Sequence, residues 1–246
     1  MPMHVCAELQ SWPADARETF GRLRDAGVRH VALSWCSTPD DPWASALVAF
    51  GLSTAYLELR PLTCLTEDQF ASQVEVTGTQ LEAAKLAGAQ RVGIASAHQG
   101  SIGFEMMAAA IARLVPLAER LGLRLCVRNR AGSAIEQLGD LHALLGRTKT
   151  AALRLCLDNV EFQRAIVNPA DAVMSFADRL EVVRLRDEEG PGPCPLGRGR
   201  GHVAATGDAL RTADFTGPII IDVLGDATAL PFVRAWIADR AGSENG

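Results

Sequence analysis

The chain has little of what usually assigns a function at sight. Only 5% of its 246 residues are aromatic, and a single tyrosine is among them, so platforms for stacking bases are few. Positive charge is not in surplus either. The formal net charge is -5, whereas nucleic-acid binding relies on a concentrated basic face. No nucleic-acid partner is expected. No apolar run approaches the roughly 18 residues of a membrane span, and the opening M-P-M-H-V-C-A-E lacks a basic n-region and a long apolar stretch. These absences predict a soluble, cytoplasmic protein without a membrane partner. The six cysteines show no C-x-x-C spacing, which argues against a zinc site or a disulfide framework. Cys6, Cys126 and Cys156 lie in apolar runs and read as small core hydrophobes. No G-x-G-x-x-G follows the first apolar run, which disfavours an open dinucleotide-binding sheet. No linker or low-complexity stretch divides the chain, so residues 1–240 read as one domain and 241–246 as a frayed tail. Oligomeric state is left open.

What is present is a regular alternation. Hydrophobic residues make up 48% of the chain, enough for a sizeable core. Strand-like runs fall at 4–8, 30–35, 54–59, 91–95, 124–128, 153–158, 181–186 and 218–223. Several, such as V-G-I-A and P-I-I-I, are continuously apolar, as strands covered on both faces are. Helical patterns fill the intervals at 15–26, 68–86, 104–121, 135–145, 169–177 and 230–238. Stretches such as A-G-V-R-H-V and L-A-G-A-Q-R-V read as helix end, glycine cap, then strand. Eight such units in about 250 residues predict an α/β fold, a single (β/α)8 TIM barrel with its functional end at the C-terminal ends of the strands.

Four runs in the second half end in charges of alternating sign: Arg128, Asp158, Arg184 and Asp222. Facing a barrel mouth, such ions must find partners, because an unpaired buried charge is very costly. Arg128, Arg130, Arg184 and Arg186 read as an anion pocket for a carboxylate or phosphate; in the other reading Arg128 and Arg184 pair with Asp158 and Asp222. Arg130 and Arg186 share the strand parity of Arg128 and Arg184, so they would face a ligand higher in the mouth. The loop 188–201 carries Arg198 and Arg200 in G-R-G-R-G, with His202 next, and could close on an anion. His98, after the fourth run, is a candidate general acid or base. Glu58, ending the third, is another; otherwise it would pair with Arg60 or Arg91. Trp12 and Trp35 follow the first two runs, as does Trp43, where aromatic side chains can wall a sugar pocket. Asp187 is either a site residue or a solvated loop charge.

The strings L-C-L-D-N-V-E-F, V-V-R-L-R-D, P-L-G-R-G-R-G-H-V and P-I-I-I-D-V-L-G-D together resemble the second half of the xylose isomerase-like barrels, a superfamily of sugar phosphate isomerases, epimerases and AP endonucleases. The resemblance implies a divalent metal held by a Glu, an Asp, a His and a second Glu, polarising substrate oxygens. Position by position, this chain offers Arg128 for the first Glu, keeps Asp158, has Glu161 where a His is expected, and offers Arg184 for the other His and Asp222 for the last Glu. Arginine stays protonated and has no acceptor, so no cofactor is expected. A metal on Asp158, Glu161 and Asp222 is the disfavoured remainder. Two functions are carried forward. One is an isomerase or epimerase of a small sugar or sugar acid, with a carboxylate or His98 moving the proton and arginines holding the substrate's negative charge. The other is a catalytically silent barrel that binds a ligand or a partner. An AP endonuclease is third, because it needs a fuller ligand set and a basic face.

Overall fold

A computed structural model describes residues 4–9, 13–35, 43–63, 66–97, 103–190, 192–226 and 228–235. Eight parallel strands close into a barrel: β1 (His4–Leu9), β2 (His30–Ser34), β3 (Ser53–Glu58), β4 (Arg91–Ile94), β5 (Arg124–Arg128), β6 (Arg154–Asp158), β7 (Leu180–Arg184) and β10 (Pro218–Ile221). The helices between them are α1 (Ala16–Asp25), α2 (Trp43–Ala49), α3 (Glu67–Leu86), α4 (Phe104–Arg120), α5 (Leu138–Thr148), α6 (Asn159–Arg164), α7 (Pro169–Ser175) and α8 (Val203–Thr212). A two-stranded ribbon, β8 (Glu188–Glu189) with β9 (Gly192–Pro193), rises from the long loop after β7. Among the described residues no helix is long and apolar enough to cross a membrane.

Local signals set the helix ends. Asp15 caps α1 by accepting from the Glu18 amide at 2.8 Å, and the chain leaves that helix through Gly27 at φ 75°. Two strands stop two residues sooner than their apolar runs suggest: β7 ends at Arg184 rather than 186, and β10 at Ile221 rather than 223. That shortening matters at the mouth. The expected tail 241–246, Trp12, His98, Cys36 and Cys64 lie outside the described residues. Cys6, Cys126, Cys156 and Cys194 are free thiols, and burial pushes Cys6 and Cys156 up to about 12, well away from reactivity.

Side chains alternate along each strand, and this sorts the barrel interior into layers. The middle layer is small and apolar: Cys6, Ala32, Ala55, Tyr56, Cys126, Cys156, Val182 and Ile220 form a cluster separate from the main core between strands and helices. Two residues earlier along β1, β2, β4 and β5 lies a floor of His4, His30, Arg91 and Arg124. Two residues later along β1, β3, β5, β6 and β7 lies the mouth: Glu8, Glu58, Arg128, Asp158 and Arg184. Gly93 faces the interior on β4, paired with Glu58 and Cys126. A Cβ there would fall 1.5 Å from the Tyr56 hydroxyl oxygen and 2.6 Å from Glu58 Oε2. The missing side chain is the space these two residues fill.

Candidate active site

The mouth is a dense ion network with Asp158 at its centre. Asp158 is 0% exposed. Its Oδ2 accepts from Arg186 Nη2 at 2.7 Å and stands 3.6 Å from Arg184 Nε and 3.7 Å from Arg128 Nη1. Its Oδ1 caps α6, accepting from the Glu161 amide at 3.3 Å. Arg128 Nε donates to Glu58 Oε1 at 2.9 Å, and the Tyr56 hydroxyl donates to Glu58 Oε2. Arg184 Nη2 donates to Glu8 Oε1, while its Nη1 lies 4.0 Å from Glu58 Oε2. Arg186 reaches on to Glu161 Oε1 at 3.2 Å. Arg164 takes the same oxygen at 3.1 Å and also pairs with Glu188. Glu161 Oε2 accepts from the Ala131 amide at 3.0 Å.

These neighbours decide the charges. Burial by itself would raise the Asp158 carboxyl, but the guanidiniums of Arg186, Arg184 and Arg128 hold it below its ordinary value. Glu58 is depressed in the same way, against its burial, by Arg128 and Arg184 and by the hydrogen bond from Tyr56. Arg128 is pushed up, against its burial, by Glu58 and Asp158. Both carboxylates and the guanidinium are therefore ionised at neutral pH. Among the described residues, three buried atoms in the mouth have no hydrogen-bond partner: Glu8 Oε2, Arg184 Nε and Arg186 Nε. The void lined by Glu8, Ser34, Tyr56, Glu58, Arg184 and Ile220 leaves no room for a water molecule.

The backbone around these ions is stapled by amides. Asn129 donates to the Asp158 carbonyl at 3.0 Å and accepts from the Asp158 amide at 2.8 Å. Asn159 donates to the carbonyls of Arg186 and Gly201 and accepts from the Arg186 amide. Asp187, far from being a solvated charge, is buried and accepts from the amides of Glu188, Gly197, Gly199 and Gly201 at 2.7 to 3.0 Å. A Cβ on Gly199 or Gly201 would come within 2.6 or 2.8 Å of its carboxylate. The glycine loop exists to let backbone approach this side chain.

The sequence-derived candidates fall into two groups. Arg128, Asp158, Arg184, Arg186, Glu58 and Glu161 come together in the mouth. Asp222 does not: β10 ends one residue before it, so it sits exposed in a turn and accepts from the Gly225 amide at 2.7 Å. Glu58 and Glu8 take the place proposed for it as partners of Arg128 and Arg184. Glu58 pairs with neither Arg60 nor Arg91; Arg91 lies on the floor, bonded to Glu181. Arg186 lies past the end of β7 and joins Asp158 rather than standing higher, while Arg130 is half-buried in the loop after β5. Arg198 and Arg200 are exposed, and His202 is exposed at the start of α8 with φ 53°. None of these three side chains bonds to the mouth among the described residues. Trp35 is half-buried against the core and its amide donates to the Glu58 carbonyl at 2.8 Å. Glu8 was missed, although V-C-A-E-L carries the same signal as the other strands, an apolar run ending in a charge.

Among the described residues no group of three or more His, Cys, Asp and Glu side chains is arranged to hold a metal ion. No curated protein sequence matches the chain. Solved structures do match its fold. An L-ribulose 3-epimerase superposes with a TM-score of 0.79 at 14% identity, over 99% of this chain and 96% of that one. The 3-keto-D-glucoside 4-epimerase YcjR from E. coli gives 0.77 at 16% identity, over 96% and 99%. The IOLI protein with a binding zinc atom gives 0.75 at 14%, over 98% and 99%. At such identities the likeness establishes the fold. The model of the xylose isomerase-like TIM barrel matches residues 10–240, and with that match over nearly the whole chain, on top of the closed eight-stranded barrel, the protein belongs to the xylose isomerase-like TIM barrels.

Proposed function

We propose that this barrel is an isomerase or epimerase of a small sugar or sugar acid, bound at the mouth as an anion, and that it works without a divalent metal. The observation that carries this reading is the position of Asp158 Oδ2 among the guanidiniums of Arg128, Arg184 and Arg186. A divalent cation does not fit that donor set. Glu58, Asp158, Glu161 and Glu8 each already face an arginine, and an arginine can neither ligate a cation nor lose its proton to make way for one. The named neighbours, an L-ribulose 3-epimerase and a 3-keto-D-glucoside 4-epimerase, support the sugar chemistry.

Isomerisation and epimerisation begin alike. A base removes a proton from the carbon beside a carbonyl, and negative charge develops on the carbonyl oxygen. Fixed cations in a site closed to water stabilise that charge strongly, because they need no reorganisation when it appears. Arg184 and Arg186, each with an Nε that makes no hydrogen bond among the described residues, supply donors of this kind. Incubating the protein in heavy water with a panel of ketoses and keto-sugar acids, with and without a chelator, tests the reading. Solvent deuterium should enter the substrate at a rate the chelator does not change. Exchange abolished by chelation would refute the metal-independent reading. A second reading, a barrel that binds without turnover, is favoured by the void beside Arg184, which is too tight for a water molecule; binding seen by thermal shift with no deuterium entry would select it.

A further inference from the structure

Of the four carboxylates in the mouth, three have both oxygens engaged. Glu58 holds Arg128 on one and Tyr56 on the other. Asp158 holds Arg186 on one and the Glu161 amide on the other. Glu161 holds Arg164 and Arg186 on one and the Ala131 amide on the other. Glu8 differs. Its Oε1 accepts from Arg184, while its Oε2 is buried with no hydrogen-bond partner among the described residues. A buried carboxylate oxygen with no donor is costly and calls for a reason. Glu8 lies on β1 in the same layer as the other mouth residues and lines the void with Ser34, Tyr56, Glu58 and Arg184. Opposite it in type are two donors, Arg184 Nε and Arg186 Nε, which likewise make no hydrogen bond among the described residues, Arg184 Nε standing 3.6 Å from Asp158 Oδ2.

We propose that Glu8 is the catalytic base, an assignment that rests on the isomerase or epimerase reading above. Glu58 and Asp158 are poor bases, because the arginines around them hold their proton affinity down and occupy their lone pairs. Glu8 Oε2 has lone pairs to spare. The substrate reaches it by competing for Arg184. The guanidinium exchanges the Glu8 carboxylate for the substrate's carbonyl oxygen, which makes room in the tight void and frees Glu8 together. The proton on the neighbouring carbon then passes to Glu8 Oε2. The electrons of the C–H bond form the C=C bond of an enediolate, and the carbonyl π electrons move onto the oxygen held by Arg184 and Arg186. Return of the proton to the adjacent carbon gives the isomer as the hydroxyl proton of the first carbon passes to the oxygen held by the arginines, and the epimer forms when the enediolate turns its opposite face to Glu8 before the proton returns to the same carbon. No oxidant or further reactant enters.

The test is deuterium entry into the substrate that the wild type exchanges, measured for Glu8→Gln and Glu8→Asp beside thermal-shift binding of the same compound. Gln keeps an oxygen for Arg184 and has no basic oxygen. Glu8→Gln should bind the compound and lose exchange by about 10²–10⁴-fold, the usual contribution of a positioned base. Glu8→Asp, a base set back by one methylene, should retain part of the rate and the same direction of pH dependence. Exchange by Glu8→Gln within a few-fold of wild type would overturn the assignment while leaving the function standing. If the wild type itself exchanges no member of the panel, the functional reading fails first, and the assignment with it. Glu8→Asp carries the test should Glu8→Gln not fold: a rate equal to wild type would count against Glu8.

Discussion

The two ends of the barrel interior both carry buried arginines, yet they are built differently. On the floor, one carboxylate serves two guanidiniums: Glu181 Oε1 accepts from Arg91 Nε at 2.6 Å and from Arg124 Nη1 at 2.5 Å. Arg124 is 59% exposed, Arg91 only 11%. The rings of His4 and His30 lie together at 4.6 Å, and burial, then Arg91, lowers the pKa of His30. A cavity of about 340 Å³ opens there to solvent. At the mouth, by contrast, each guanidinium faces two or more carboxylates, the void is too tight for a water molecule, and two donors and an acceptor make no hydrogen bond among the described residues. The floor is a conventional ion pair that packing and water can satisfy. The mouth retains buried polar groups beyond what its own pairing needs, and such excess is what a ligand site looks like. Between the two ends lies a buried layer of cysteines, alanines, Val182, Ile220 and Tyr56, so each end should respond to mutation independently.

Removing Asp158 should have the largest effect. Asp158→Ala leaves three buried guanidiniums facing one another, and the loss of one partner of a buried pair costs about 3–5 kcal/mol. Urea unfolding should show that loss as a lower midpoint with an unchanged slope. Acid comes next. Glu58 and Asp158 are held below their ordinary values of 4.5 and 3.8, so the unfolded chain binds protons more readily than the folded one. Their contribution is complete above those values and is lost as pH falls through the lower folded ones. Stability followed by urea midpoint should therefore fall steeply below about pH 4, and the fall should be shallower in Asp158→Asn. On the floor, Glu181→Gln should cost less, about 1–3 kcal/mol, because Arg124 turns to water and Arg91 alone is stranded. A midpoint loss as large as that of Asp158→Ala would erase the contrast between the two ends. The exposed pair Arg147–Glu105, with side chains 58% and 66% exposed, sets the lower bound. Arg147→Ala should shift stability by ~0.5 kcal/mol or less.

The strands were legible because a parallel barrel buries both faces of each one, which leaves a continuous apolar run. The mouth residues that end such runs at the strand's true end, Arg128, Asp158 and Arg184, were legible for the same reason. Asp222 failed because P-I-I-I-D-V gives no sign that hydrogen bonding stops at Ile221. Arg186 was found, but its role was not, since an apolar pattern does not reveal that β7 ends two residues earlier. Glu8 followed the rule and was overlooked beside the more conspicuous second half of the chain. The partnership of Gly93 with Tyr56 and Glu58 is a matter of volume between neighbouring strands, and that of Asp187 with the amides of Gly197, Gly199 and Gly201 spans 10 to 14 residues of loop. Neither leaves a local periodicity to read.

The central claim is that guanidiniums stand in the mouth of this barrel in place of a divalent metal. Elemental analysis of the wild-type protein, purified without chelator from cells grown with added zinc, manganese and magnesium, tests it most directly. Metal should be well below one ion per chain and unchanged in Asp158→Asn. One ion per chain, lost when Asp158 is replaced, would contradict it.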